Sequence, residues 1–414
     1  MIHPKETFSA LHPQAISPAR ETAALLPHSK RPLRILVAHN VSRQPNGGMS
    51  RLMTFIHDRL ADSGHVVDYF CAEDVPQTLS GRLSRFSFPI LVLRHAARAA
   101  REGRPYDLVN VHEPSSAAMT AFKTQAGNPV VVVTSYGVER RGWHLALEEL
   151  RLKRQAPSLK TRLLYPSTSL WQSTIGLRRA DHIFCSNAED LSFLCEQMNL
   201  PQSKITRIHS AADSVFSEAA QGRSYERCER LLFAATWRKN KGIEDLVPAF
   251  VALAARHPRL ELIVLGGGVP ADAVLEAFPP HVRGRIKCVQ ASSDAGTAAE
   301  FARADLFLLP SLFEGTPLTL IEAMASGLPI VTTATCGMKD VILDGVNGLL
   351  VPIRSPDAIV NAVERLLKDE RLRAELGSNA REDALEKYTW KHVAAPVRVV
   401  YERLCEARGA QTEG

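Results

Sequence analysis

The chain has 414 residues, 50 Lys and Arg against 44 Asp and Glu, a formal net charge of +6 and 45% apolar residues. At roughly 150 residues per domain, this length accommodates two or three domains, each able to bury its own core. A charged fraction of 23% with ordinary Gly and Pro content excludes disordered, coiled-coil and collagen-like chains.

Cysteines at 71, 185, 195, 228, 288, 336 and 405 form no CxxC pair, and no grouped His completes a metal shell. Buried thiols in a reducing compartment, with no metal, are the expectation. No apolar run approaches the roughly 20 residues needed to span a bilayer; Phe88 to Leu93 is typical of the richest. The first thirty residues lack the apolar segment of a secretory signal, so residues 1–30 are expected to be a flexible leader and the protein cytoplasmic.

From Arg34, short apolar runs alternate with longer amphipathic stretches, the pattern of parallel sheets with crossover helices. Expected strands in the first half are Arg34 to His39, Val66 to Cys71, Asp107 to His112, Pro129 to Thr134, His182 to Cys185 and Ile205 to Ile208. A second series runs through Leu231 to Thr236, Leu260 to Leu265, Ile286 to Val289, Asp305 to Leu309, Pro329 to Thr333 and Leu349 to Pro352. Apolar residues recurring at three and four predict helices over Met49 to Ser63, Gly242 to His257, Pro317 to Ser326 and Pro356 to Lys368. Both halves open as strand, Gly-containing polar turn and amphipathic helix, so the expected fold is α/β, with two doubly wound Rossmann-like domains facing across a cleft. The join falls in the polar stretch Ser217 to Arg230, and ligands are expected beyond the carboxyl ends of the strands.

Neither opening turn carries G-x-G-x-x-G and no P-loop is present, which argues against a plain NAD enzyme or a P-loop NTPase. Gly47 and Gly48 precede the first helix, where a ligand could approach backbone N–H groups; a flexible turn is the other reading. Gly266, Gly267 and Gly268 read as a strand-end turn beside a ligand's base rather than a phosphate cradle. The run Asp305 to Thr333 is the most informative: a strand, a polar loop with Glu314 and Gly315, then a helix with Thr316 as cap and Pro317 in its first turn. Glu322 falls among Leu318, Leu320, Ile321, Ala323 and Met324, where a charge is costly unless a polar group meets it. That group could be a ligand's paired hydroxyls, a backbone group or an Arg.

The segment "FEGTPLTLIEAMASGLPIV" resembles the donor-site signature of retaining glycosyltransferases of family 4, which have the GT-B fold. The resemblance extends through "ARADLFLLPS", "CGMKDVILDGVNGLLVP", "NAREDALEKYTW", "PNGGMSRLMTFIHDRLADSGHVVDYF" and "YDLVNVHEP", about Arg34 to Leu404. It implies an acceptor domain over residues 31–216, a nucleotide-sugar donor domain over 217–390, and over 391–414 a helix, Lys391 to Leu404, crossing back onto the first domain, then a tail.

The resemblance implies transfer of a sugar from a nucleoside-diphosphate sugar, with retained anomeric configuration and no cofactor or metal. Arg238 and Lys241 resemble the family's phosphate-binding pair, although aligning Lys241 and Gly242 places Thr236 where Arg is usual. By the same resemblance Glu314 would bind donor sugar hydroxyls and Glu322 the ribose, neither acting as nucleophile. Gly47 and Gly48 would approach the diphosphate and the acceptor, and Gly315, Thr316, Pro317 and Leu318 would present backbone or apolar surface to the nucleotide. His112, Tyr136 and Glu139 are acceptor-side candidates, with a satisfied core histidine as the other reading of His112; Tyr136 stands where many relatives show His and is a poor base near neutrality. Ser210 and Ala211 replace the usual Asn-Gly.

Arg82, Arg85, Arg94, Arg98, Arg101 and Arg104 fall in one span with Glu102 as its only acid, interleaved with Phe86, Phe88 and Ile90, and Arg140 to Arg162 adds seven bases. These stretches could rest on an anionic membrane surface or be solvated helix faces. With aromatics at 6%, no stacking platform for nucleic acid is evident. The expected function is a glycosyltransferase acting on a glycan or lipid-linked glycan; the alternatives are a nucleotide-sugar epimerase of the same fold and a nucleotide-sugar-binding protein without catalysis.

Overall fold

The computed structural model describes residues 32–43, 48–79, 84–154, 157–291 and 293–412, and from Pro32 onward the chain is one compact unit. The leader, Gly47 and Arg82 lie outside the described residues. Two six-stranded sheets form among the described residues, every strand pair parallel. The first holds β1 (Arg34–Ala38), β2 (Val66–Phe70), β3 (Leu108–His112), β4 (Val130–Ser135), β5 (His182–Cys185) and β6 (Ile205–Arg207) in the order β2-β1-β3-β4-β5-β6. The second holds β7 (Arg230–Ala234), β8 (Glu261–Leu265), β9 (Ile286–Val289), β10 (Leu306–Leu309), β11 (Ile330–Thr333) and β12 (Leu349–Val351) in the order β12-β11-β10-β7-β8-β9.

These are doubly wound orders, and each reverses direction once, between β1 and β3 in the first sheet and between β7 and β10 in the second. At such a reversal the flanking connections run to opposite faces and leave a crevice beyond the strand ends. The central strands are apolar throughout because helices cover both faces; β4 and β10 are buried at every position. The expected strands all form, most of them shorter by one or two residues at an end, since pairing stops where the turn begins.

The helix after β10 differs from expectation at its start. It spans Leu318–Ala325 with Pro317 at the cap position, and the Thr316 hydroxyl donates across the cleft to the Ser186 carbonyl at 2.6 Å rather than capping its own helix. The polar join is also more structured than its composition implies: Arg223 donates to the carbonyls of Ser326 (2.6 Å), Ala304 (2.6 Å) and Phe301 (2.7 Å), tying the connection to the second sheet's layer.

The last helix, Trp390–Thr412, packs on the first half. Trp390 stacks on Phe55 with ring centroids 4.8 Å apart, and Val393, Val397, Val400 and Tyr401 share a core with Ile35, Met53 and Ile56. The buried Tyr401 hydroxyl receives the Asn110 amide and lies 3.1 Å from His57 Nε2, so the polar end of this apolar wedge is satisfied.

Candidate functional site

Both chain reversals open into the space between the domains. After β7 come Ala234, Ala235 and Thr236; at the end of β10 come Leu309 and the loop that carries Glu314 to Pro317; opposite them stands Gly48, which opens the Gly48–Asp62 helix after β1. Together with Met49, Leu52, Tyr136, Ser210, Lys241, Leu318 and Thr319 they enclose a cavity of about 280 Å³. A Cβ at Gly48 would lie 3.6 Å from the Leu318 Cβ, an ordinary van der Waals contact across the cavity.

The loop bearing Glu314 is fixed from both domains. Asn187 Nδ2 donates to the Glu314 carbonyl at 3.3 Å and Ser210 Oγ to the Thr316 carbonyl at 2.6 Å. Gly315 is pressed between Ser186 and the Tyr136 carbonyl, each 3.0 Å from where a Cβ would stand, so a side chain there would require both neighbours to give by a few tenths of an ångström. The Glu314 carboxylate is ion-paired with Lys241, and its Oε1 also accepts from Ser311 Oγ at 2.9 Å. The wall therefore carries one cation and one carboxylate side by side, beside the N-terminal end of the Leu318–Ala325 helix, whose first N–H groups have no partner within the helix. That combination suits a diphosphate joined to a polyol: the cation and helix end meet phosphate oxygens, and the carboxylate accepts from hydroxyls.

Two family models decide what such a cleft belongs to. Residues 46–215 match the model described as Glycosyltransferase Family 4, and residues 216–383 the model described as Glycosyl transferases group 1. The chain is a glycosyltransferase of family 4 with the GT-B fold.

An uncharacterized glycosyltransferase of Methanocaldococcus jannaschii is 30% identical over 180 residues, 43% of this chain and 46% of that protein, so the match spans about half that relative's length. A phosphatidyl-myo-inositol mannosyltransferase of Mycolicibacterium smegmatis is 25% identical over 382 residues, covering 87% of this chain and 91% of the relative. Among solved structures, a sucrose-phosphate synthase from Thermosynechococcus elongatus superposes with a TM-score of 0.73 over 91% of this chain and all of that one, at 20% identity, which is a likeness of fold.

In this glycosyltransferase the cavity brings together Gly48, Lys241, Glu314, Gly315, Thr316, Pro317, Leu318 and Tyr136. Arg238 is exposed and does not line it; Thr236 does. Glu322 is fully buried behind the wall, where the Arg51 guanidinium of the Gly48–Asp62 helix meets it at 2.6 Å; Arg51 also reaches Asp294 at 3.2 Å. The group that satisfies Glu322 here is thus an Arg, although Glu322 Oε2 has no hydrogen-bond partner among the described residues. Burial pushes the Glu322 carboxyl up, and the Arg51 charge offsets part of that rise. Tyr136 donates to Met53 Sδ at 2.7 Å, and burial holds its phenol far above the ordinary range, so it stays un-ionised.

His112 and Glu139 line a second, larger cavity of about 860 Å³ beyond the ends of β1 and β3, which also takes in Asn40, Glu113 and Tyr165. Met49 lies on the wall of both cavities, and the His112 ring sits edge-on to Tyr136 with centroids 5.2 Å apart. Burial, with His39 nearby, lowers the His112 pKa well below its ordinary value, so the ring is neutral. Sequence reasoning missed Arg51 and gave Glu113 no role. Arg51 had one signal, a cation flanked by Leu52 and Met53 on the apolar side of an amphipathic helix.

Proposed function

We propose that this glycosyltransferase moves a sugar from a nucleoside-diphosphate sugar to a glycan or lipid-linked glycan, with retained anomeric configuration and without a metal. The observation carrying this reading is the Lys241–Glu314 pair at the β7/β10 reversal, facing Gly48 across the interdomain cavity. As the glycosidic bond to the donor phosphate breaks, negative charge grows on the diphosphate; the Lys241 ammonium and the start of the Leu318–Ala325 helix are placed to stabilise it. Glu314, released from Lys241, accepts the donor sugar's hydroxyls. Glu322 Oε2 is the oxygen available for a ribose hydroxyl, which requires the Gly48–Asp62 helix to give way. The larger cavity is the acceptor's, because Met49 joins it to the donor cavity.

A peripheral contact with an anionic membrane at the cytoplasmic face belongs to the same reading. Leu159 and Leu163 are 72% and 76% exposed, Phe86, Ile90 and Trp171 are also exposed, and Arg94, Arg98 and Arg101 stand on the outer face of the Ser84–Arg101 helix. Exposed leucines with surrounding cations suit an interface of acyl chains and anionic headgroups. Sedimentation with anionic vesicles at low salt, lost at high salt, supports that contact; no sedimentation at low salt refutes it.

The transfer itself is tested with radiolabelled nucleotide sugars. Label moved to an acceptor, or slowly to water in its absence, supports a transferase. An epimerised donor with no free nucleotide, or tight nucleotide binding with no turnover under any acceptor, overturns the reading.

A further inference from the structure

The cavity beyond β1 and β3 is chemically divided. On its floor are buried polar atoms without partners among the described residues: both ring nitrogens of His112, Oε2 of Glu113 and Oγ of Ser169. His112 is 3% exposed and Ser169 1%. Leaving such atoms unpaired forfeits the hydrogen bonds they made in water, so their convergence on one cavity marks the place of a polar ligand. The remaining floor oxygens are held in place: Ser173 donates to Glu113 Oε1, the Glu139 N–H lies 3.3 Å from the same oxygen, and the Tyr165 hydroxyl donates to Glu139 Oε2.

The rim is different. Arg85 and Lys160 line the cavity from exposed positions, and neither is paired with a carboxylate among the described residues. The Arg85 guanidinium sits over the Tyr165 ring, 5.5 Å from its centroid, which stations a cation above the hydroxyl that orients Glu139. Two unpaired cations at the mouth of a cavity whose floor accepts and donates hydrogen bonds describe a ligand with an anionic end and a polyhydroxyl body.

Resting on the reading of this cleft as a glycosyl-transfer site, we propose that the acceptor is a phosphorylated polyol, its hydroxyls on His112, Glu113 and Glu139 and its phosphate on Arg85 and Lys160. Arg supplies a planar fork for phosphate oxygens and Lys a mobile point charge. The floor does not repel such a ligand as two carboxylates would. Burial and the neighbouring Glu139 push the Glu113 carboxyl up to about 8, so at neutral pH it carries its proton and can donate. The phosphate can belong to a soluble sugar phosphate or to a lipid headgroup; both present the same chemistry to the rim.

The test measures binding of matched pairs, glucose and glucose 6-phosphate, and myo-inositol and its 1-phosphate, to the full chain. Dihexanoyl phosphatidylinositol and inorganic phosphate are added as further probes, and nucleoside diphosphate binding is measured on the same samples. The expected result is that phosphorylated members bind at least about tenfold more tightly than their neutral parents and more tightly than inorganic phosphate. The Arg85→Gln/Lys160→Gln variant, altered only at exposed positions, should lose that preference while still binding nucleoside diphosphate. A preference confined to the lipid probe assigns the headgroup, and one confined to soluble probes assigns the free sugar phosphate. No preference in any pair, binding no better than that of inorganic phosphate, or a preference surviving in the variant overturns the proposal. So does a variant that loses only vesicle sedimentation. Retained nucleoside diphosphate binding in those cases leaves the transferase reading standing, whereas its absence from the unaltered chain counts against that reading separately.

Discussion

Nη1 of Arg51 lies 2.6 Å from Oε1 of Glu322, so a cation of the first domain neutralises a carboxylate that is wholly buried in the second. The two residues are 271 positions apart in the chain, and their pairing holds the Gly48–Asp62 helix against the Leu318–Ala325 helix at the back of the interdomain cavity. Removing one partner strands the other in a desolvated site, at a cost of about 3 kcal/mol or more. Glu322→Ala is expected to lower the melting temperature and to weaken nucleotide-sugar binding, whereas Glu322→Gln keeps an acceptor for Arg51 and loses less stability. Calorimetry with and without nucleotide measures both; unchanged stability and unchanged binding in Glu322→Ala would remove Glu322 from the account.

Lys241 supplies the cation nearest Glu314. With the charge gone, stabilisation of the leaving diphosphate is lost mainly in the transition state. Lys241→Ala should therefore reduce kcat by about 10²–10³-fold with a smaller change in KM. Steady-state kinetics decide it: a kcat within threefold or so of the unaltered enzyme contradicts the role.

Gly337 tests the fixed position of the donor loop. A Cβ there would stand 1.8 Å from the Gly315 carbonyl oxygen, which cannot move without carrying Glu314 and Thr316 with it. Gly337→Ala is expected to cut turnover at least about tenfold while leaving the rest of the fold cooperative, because the clash falls on the loop and not on either sheet. Full activity in this variant would show that the loop's position is unimportant.

The pH dependence of stability has a definite sign. His57 is buried, and burial lowers its pKa from 6.5 to about 4, with the Met53 carbonyl pulling slightly the other way. Between these values the unfolded chain binds the proton and the native one does not. The contribution is therefore complete above pH 6.5 and is lost as pH falls towards 4. His182 and His209, also lowered by burial to about 4, add to the same slope. Denaturant titrations should show stability falling from pH 6.5 to 4 and a shallower slope for His57→Gln; identical slopes would contradict it.

Most of the fold was legible because a parallel sheet covered on both faces writes each strand as a short apolar run, and β5 and β9 fall on the expected residues. The loop after β10 was singled out by its long resemblance, which pointed to Glu314 and Lys241, and the two form an ion pair on the cavity wall. Relations across the cleft were not. The Thr316 cap failed because the hydroxyl found the Ser186 carbonyl of the other domain, and Arg51 was missed because its partner Glu322 meets it only once both domains are assembled. Arg238 illustrates the limit of spacing: three residues from Lys241, it is exposed and does not line the cavity that Lys241 lines.

The most direct test of the central claim is thermal stabilisation of the full chain by a set of nucleoside diphosphates and their sugars, measured beside Lys241→Ala. A ligand that binds the native form at a hundred times its Kd adds about 2.7 kcal/mol of stability, which is readily seen as a shift in Tm. The expected result is a clear upward shift with at least one nucleoside diphosphate, diminished in the variant. No shift with any of them, or a shift indifferent to Lys241, would contradict a cleft built to hold a sugar nucleotide.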